Sequence, residues 1–453
     1  MKDHKNALDY GKTNVPRLFA SLFFPTLMGL VFSALLNLAD GIFVGKGVGS
    51  NALAAVNVVA PIYLVSTGIA LLFATGVSIV AAVNISQGKK KAANIQVTQA
   101  FTVSSLILAI FSLIIFFFPS QLSYLFGGTQ QLEPLAVTYL RGVAPIPFFT
   151  ALLLVGMFVT RLDGSPKYAM MCEVLSSLLN IFLDWLFIFP MNMGIFGAAF
   201  ATSLSMAVGT MGIWVYMAFL SHDIHGYKPR ISATSLRLTI RNSCYMAKLG
   251  MSTFIGETAL VCMLIAGNFS FGKYLHEDGV AAFSVAAYLF PLVLMFGNAI
   301  AQSSLPIVSY NYGLKNMERI GKTFRLTVVL SIVLGLASTV VCAWWSDTLM
   351  SLFLNTDTTA YRIGCKGFPY FTSSFLFFTL NIVFIGFYQS IERARYATLW
   401  MLLRGVIFVI PCFFLMPMLI GEKGLWLAVP VSELITFLVI MGTITYDKIH
   451  CHK

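Results

Sequence analysis

The stretch PRLFASLFFPTLMGLVFSALLNLADGIFVGKG, residues 16–47, decides the reading of this chain because it returns, weakened, as SCYMAKLGMSTFIGETALVCMLIAGNFSFGKY at 243–274. At an offset of 227 residues, Ala20, Leu22, Thr26, Gly29, Ala39, Gly45 and Lys46 meet Ala247, Leu249, Thr253, Gly256, Ala266, Gly272 and Lys273. The same register later pairs Pro190, Gly197, Ala201 and Ser205 with Pro417, Gly424, Ala428 and Ser432, with no gap needed at these points. Chance matches among common apolar residues do not supply a Gly-Lys pair and, far downstream, Pro and Gly together. The chain is an internal duplication.

Each repeat is too apolar for water. The 453 residues are 58% hydrophobic and only 10% charged, against about 25% charged in soluble domains. Stretches near the roughly 20 residues needed to span a bilayer fall at approximately 16–44, 54–84, 94–118, 134–160, 168–189, 194–220, 243–271, 279–310, 323–345, 364–390, 396–418 and 424–446. The expected fold is an all-α polytopic membrane protein with twelve transmembrane helices in two six-helix lobes. An even number of spans per repeat inserts both lobes in the same orientation, so the internal repeat is parallel. The expected boundaries are an N-terminal lobe over 1–220, a cytoplasmic linker over 221–242 that contains Lys228, Pro229 and Arg230, and a C-terminal lobe over 243–453. Two tandem membrane repeats in one chain imply a transporter built around a central site.

Charge sets the expected orientation. Of the 29 Lys and Arg, only Lys46, Arg141, Lys273, Arg362, Lys366 and Lys423 fall on the side opposite the N-terminus, and Arg404 falls inside a span. The positive-inside rule then puts both termini in the cytoplasm. This bias also accounts for most of the net charge of +11, and basic residues scattered over loops do not make a nucleic-acid surface. The first apolar stretch is too long for a signal-peptide core and is expected to remain as a span. The seven cysteines form no CxxC pair, so no disulfide or zinc site is expected, and Cys172, Cys262 and Cys412 read as packing residues. The tail His450, Cys451 and His452 has the composition of a metal tract but reads as a frayed terminus. No GxxxxGK[ST] segment is present, which argues against a built-in ATPase, and no enzyme chemistry or cofactor is expected.

Carboxylates inside hydrocarbon cost about 2.5–3.5 kcal/mol each on insertion scales and mark function by default. Five stand in spans: Asp40 in the first, Glu173 and Asp184 in the fifth, Glu257 in the seventh and Glu433 in the twelfth. At 1.5 Å per residue, Asp40 and Asp184 both lie roughly 8 Å below the outer surface, with Thr202 of the sixth span near the same layer. Asn180 precedes Asp184 by one helical turn and shares its face, and Glu173 extends that face toward the cytoplasm. One group of oxygen ligands is thus expected in the outer half of the N-terminal lobe. Its chemistry has two readings: a carboxylate pair sharing a proton, or a hard-oxygen site for a small alkali cation. At the 227 offset Asp40, Asn180 and Asp184 meet Gly267, Ile407 and Pro411, so this group is expected once per chain. Glu433 has only Ser432 clearly level with it, and Arg404 is expected to reach back to the cytoplasmic face.

The run RLDGSPKYAMMCEVLSSLLNIFLDWLFIF from Arg161, followed by MGIFGAAFATSLS from Met193 and preceded by PTLMGLVFSALLNLADGIFVGKGVGSNALAAVN from Pro25, resembles the multidrug and toxic compound extrusion (MATE) family. The likeness covers essentially the whole chain and is closest to the DinF-like and MepA-like branch. It implies an antiporter that exports organic, often cationic, drugs through a cleft between two lobes, driven by inward proton or sodium flow, without ATP or a bound cofactor. It also implies that Asp40, Asn180, Asp184 and Thr202 form the cation site and that Pro25 marks a bend in the first span. Glu257 matches an acidic position of the other, NorM-type branch, but the tenth span lacks that branch's second carboxylate, so Glu257 is expected in the substrate cleft instead. Glu173 is expected on a proton path. The resemblance and the topology imply a bacterial inner membrane, and two lobes in one chain are expected to work as a monomer. The same architecture serves lipid-linked saccharide flippases, but an anionic substrate demands several cleft cations, and only Arg404 and Arg141 are available.

Overall fold

The computed structural model describes residues 8–126, 129–226 and 232–450, without the side chains of Ser50, Leu53 and 448–450. The linker residues Lys228, Pro229 and Arg230 and the tail set His450, Cys451 and His452 therefore lie outside the described residues or side chains. Among the described residues the fold is wholly helical. In chain order the helices are α1 (Val15–Gly47), α2 (Ser50–Ser86), α3 (Lys90–Phe117), α4 (Pro119–Leu125), α5 (Glu133–Val143), α6 (Ile146–Leu162), α7 (Pro166–Ile188) and α8 (Gly194–Val215). They continue with α9 (Ala233–Gly313), α10 (Met317–Trp344), α11 (Ser346–Ser351), α12 (Thr359–Thr372), α13 (Ser374–Ser390), α14 (Ala394–Leu402), α15 (Val409–Ile420) and α16 (Glu422–His450). Wide π-turns follow α8 at Tyr216–Leu220 and separate α14 from α15 at Leu403–Ile407.

Nine of these stretches are long and apolar enough to cross a membrane, and the pairs α5–α6 and α14–α15 each make one further span bent by 43° and 40°. The 81-residue α9 is two spans, because His276 (φ 55, ψ −150) breaks it. Eight single spans, two bent pairs and the two arms of α9 make the twelve expected from the sequence. Lipid offers no partners to backbone groups, so each span closes its own hydrogen bonds. Pro25 sits inside α1, which continues through it as one helix.

The chain forms two compact units, Met1–Glu257 with Pro306–Arg319, and Thr258–Leu305 with Ile320–Lys453. In the first unit, α7 packs most extensively on α8 and on α1. Small residues on α8, among them Gly197, Ala201 and Gly209, let backbones approach, as helices must where no hydrophobic drive separates them from lipid. Cross-helix hydrogen bonds fix the register: Ser176 Oγ donates to Ser205 O (2.8 Å), Tyr168 Oη to Gly212 O (2.9 Å) and Ser203 Oγ to Gly142 O (2.7 Å). Deeper in the unit α2 and α9 cross almost backbone to backbone. A Cβ on Gly76 would strike the Met246 backbone, and one on Gly250 would strike the Leu72 backbone. In the second unit the core is aromatic. Phe271 stacks on Phe283 at 4.7 Å and meets the edge of Trp426 at 4.9 Å, while Phe290 packs against Phe371 and Phe378.

The end of the first unit that holds the start of α1 and the α6–α7 turn is tied by two polar anchors. Buried Tyr10 donates to Arg161 O, while its own carbonyl accepts from Asn311 Nδ2 (3.1 Å) and Arg319 Nη2 (3.0 Å). Burial, and secondarily the charge of Asp163, push the Tyr10 hydroxyl's pKa upward, so it stays a donor. The Asp163 carboxylate, on the α6–α7 turn, collects Tyr216 Oη (2.8 Å) and the amides of His222 (2.7 Å), Asp223 (2.8 Å) and Ile224 (3.0 Å). Hydrogen bonds to a charged group are worth about 1.5–3 kcal/mol each. Asp163→Ala should therefore lower the thermal melting temperature by several degrees and free the chain after Leu220 to proteolysis, which limited digestion checks; an unchanged melting curve would mean the anchor carries no load.

Candidate cation-coupling site

The site begins on α7, whose turn-spaced Asn180 and Asp184 face into the unit and are fully buried. In the amide orientation that suits both neighbours, Asn180 Nδ2 donates to Asp184 Oδ2 at 3.1 Å, and its Oδ1 faces Thr202 Oγ1 (3.3 Å) and the Thr202 amide (3.1 Å). Thr202 is held in turn by donating to Ala198 O on its own helix at 3.1 Å. Asp40, on α1, lies within electrostatic reach of Asp184. One oxygen of each carboxylate, Asp40 Oδ1 and Asp184 Oδ1, is buried with no hydrogen-bond partner. The structure thus brings Asp40, Asn180, Asp184 and Thr202 into one group, and the two unpartnered oxygens give it unused acceptor capacity. Buried acceptors are nearly always satisfied, so two orphans in one group are a specific chemical feature.

Two residues join this group that the sequence did not single out. Tyr63 of α2 donates to Tyr139 of α5 at 3.2 Å, and both phenols lie within electrostatic reach of Asp40 and Asp184. They bring two hydroxyl groups from α2 and α5 to the site. The only sequence signal was a Tyr in each of two apolar spans, which in a chain with 17 Tyr distinguishes nothing.

Glu173 lies three turns from Asp184 toward the N-terminus of α7, wedged against α1. A Cβ on Gly29 would overlap its carboxylate, Arg161 Nη2 is 3.9 Å from Oε2, and Thr26 is buried on the same α1 face with its hydroxyl unpartnered. Glu173 therefore touches α1 immediately after Pro25. Substituting Gly29 with Val should push α1 off Glu173 and reduce transport without touching the outer acidic group; wild-type transport by Gly29→Val would show that this contact is dispensable. Glu257 is elsewhere, half-buried on α9 beside Gly68 and Phe254, and no charged residue acts on it among the described residues.

Arg404 and Glu433 correct the sequence reading. Arg404 does not reach for the cytoplasmic face. It is 8% exposed, and its Nε donates to Glu433 Oε1 at 2.7 Å and Oε2 at 2.9 Å. Glu433 is not short of level partners either, since Asn381 Nδ2 donates to its Oε2 at 2.8 Å. An internal carboxylate one helix away offers the guanidinium a better solvation shell than a long climb to water, which is why the pair forms. Among the described residues no cluster of His, Cys, Asp and Glu is arranged to hold a metal.

A duplicated all-helical membrane fold with a buried acidic group in its first half defines a polytopic membrane transporter, not an enzyme. The family model MatE matches residues 25–186 and 231–414, and the chain belongs to that family. Among its relatives are the protein named multidrug export protein MepA from Staphylococcus saprophyticus, 24% identical over 430 residues that cover 92% of this chain and 90% of the relative, and its namesake from Staphylococcus aureus, 22% identical over 444 residues covering 95% and 94%. The fold matches an outward-facing multidrug resistance MATE family transporter of the MOP superfamily with a TM-score of 0.89 and 21% identity, over 99% of this chain and all of that one.

Proposed function

We propose that this chain is a multidrug exporter of the inner membrane, with both termini cytoplasmic, that extrudes organic cations by antiport with protons or sodium ions and works as a monomer. The observation that carries the reading is the Asp40–Asp184 pair with its two unpartnered oxygens. Two carboxylates in a low-dielectric site cannot both stay charged cheaply, so a proton or a small cation is taken up to relieve the pair. Asn180 holds Asp184 in place, and Thr202 holds Asn180, so uptake of one charge is transmitted to α7 and α8. Asp40 carries the same event to α1, and Glu173, against the turn after Pro25, is where α7 and α1 also meet. Loading thus shifts α1 relative to α7 and drives the exchange between outward-open and inward-open states. One charge moving down 100 mV supplies about 2.3 kcal/mol, enough for a roughly fiftyfold drug gradient. The names of the Staphylococcus relatives support the drug-export reading, and Glu257 is assigned to the route of cationic drugs.

Proteoliposomes loaded with ethidium test this reading. Efflux should follow an imposed proton gradient or an imposed sodium gradient and stop when an ionophore collapses it. Efflux that ignores both gradients would overturn the antiport reading, and transport of a lipid-linked saccharide in its place would establish the flippase.

A further inference from the structure

The second unit holds a buried charge cluster that the coupling mechanism does not use. Glu433 on α16 is 3% exposed, Arg404 in the π-turn 8%, and Asn381 on α13 fully buried. The Arg404 guanidinium lies 3.9 Å over the Phe378 ring, and its Nη1 points to Met401 Sδ at 3.6 Å. Asn381 Nδ2 donates to both the side chain and the backbone carbonyl of Glu433, at 2.8 and 2.9 Å, yet Asn381 Oδ1 has no partner. A carboxylate, an unsatisfied amide oxygen and an aromatic face around one positive charge are the components of a cation site.

Its position follows from the duplication. At the offset of 227, Asn180 corresponds to Ile407 and Thr202 to Val429. Arg404 stands three residues before Ile407 and Glu433 four residues after Val429. The helices run in opposite directions, so both displacements lead the same way, about one turn toward the cytoplasm. The pair that meets between α7 and α8 in one unit has its counterpart between the π-turn and α16 in the other. Wide π-turns inside helices concentrate at functional sites, and here the π-turn contains Arg404 itself.

We propose that the C-terminal lobe carries a second cation site, related by the repeat to the first, in which the Arg404 guanidinium is the resident cation on Glu433. This rests on reading the Asp40–Asp184 group as the coupling site. The first lobe takes and releases a mobile ion, whereas the second is filled by its own side chain and stays in the loaded state. Removing that side chain opens the site to small delocalised cations of the guanidinium class. Among the described residues only Arg404 and Asn381 act on Glu433, and Arg362 and Lys366 of α12, Tyr388 of α13 and Cys412 of α15, on the elements packed against α16, do not.

Chemical rescue tests the proposal without transport. Purified Arg404→Ala should melt below wild type, and millimolar methylguanidinium should restore several degrees, while tetramethylammonium at equal ionic strength should not. The double variant Arg404→Ala/Glu433→Gln and the wild type should show no such response, and Arg404→Lys, which keeps a charge, should respond less than Arg404→Ala. If Arg404→Ala does not accumulate, Arg404→Gln serves in its place. A flat response of the single variant to methylguanidinium, or an equal response of the double variant, overturns the second site and leaves a structural ion pair. The coupling reading is judged separately by wild-type efflux: a rescued variant beside ungated efflux would keep the cation site and lose the antiport.

Discussion

Asp184→Asn is expected to abolish gradient-driven efflux, with rates falling at least a hundredfold to the level of empty liposomes, while the protein keeps its fold and melting temperature. The reason is chemical. Asp184 is fully buried, and one of its oxygens is already occupied by Asn180 while the other is unpartnered. The amide replaces that acceptor with a group that neither binds a proton at working pH nor neutralises a cation, and it removes the repulsion with Asp40 that makes uptake favourable. The fold survives because a neutral amide costs less to bury than a carboxylate. Thr202→Val should be milder, about fivefold in rate, since it withdraws one hydrogen-bonding group worth about 1 kcal/mol. Efflux rates for the two variants at matched protein density check the order. Equal effects would mean that the group acts through packing rather than through charge.

The largest stability effect is expected at the crossing of α2 and α9. Gly250→Ala places a methyl group into the Leu72 backbone, and Gly76→Ala places one into the Met246 backbone. Side chains can rotate away from a new methyl, but two packed backbones cannot, so each substitution should cost about 1–3 kcal/mol or more of overpacking. Gly442 on α16 is the control, because a Cβ there meets nothing within 4 Å. Gly442→Ala should be neutral or stabilising by about 0.5–1 kcal/mol, since alanine loses less backbone entropy in a helix. Melting temperatures in detergent should therefore move in opposite directions for Gly250→Ala and Gly442→Ala. A common direction would show that α2 and α9 do not meet backbone to backbone.

The duplication and the hydropathy made the spans legible, and the matched depth of Asp40, Asp184 and Thr202 made most of the candidate group legible, because helix rise converts sequence position into height. Neighbours across helices were not legible. Tyr63 and Tyr139 join the site through the packing of α2 against α5, which no spacing within one span reports. The Arg404–Glu433 pair was missed for the same reason: distance along the eleventh span placed Arg404 within reach of its cytoplasmic end, and nothing within either span reports the carboxylate on the neighbouring helix. The break expected between the seventh and eighth spans, after 271 and before 279, falls at His276, where the backbone leaves the helical region.

The measurement that bears most directly on the coupling claim is ion flux driven by drug. Proteoliposomes with a pH-sensitive or sodium-sensitive dye inside are given an ethidium gradient and no ion gradient, and wild type is compared with Asp40→Asn. Wild type should move protons or sodium against the drug flow, and Asp40→Asn should move neither. Full drug-driven ion flux in Asp40→Asn would contradict the assignment of the coupling site to this acidic group.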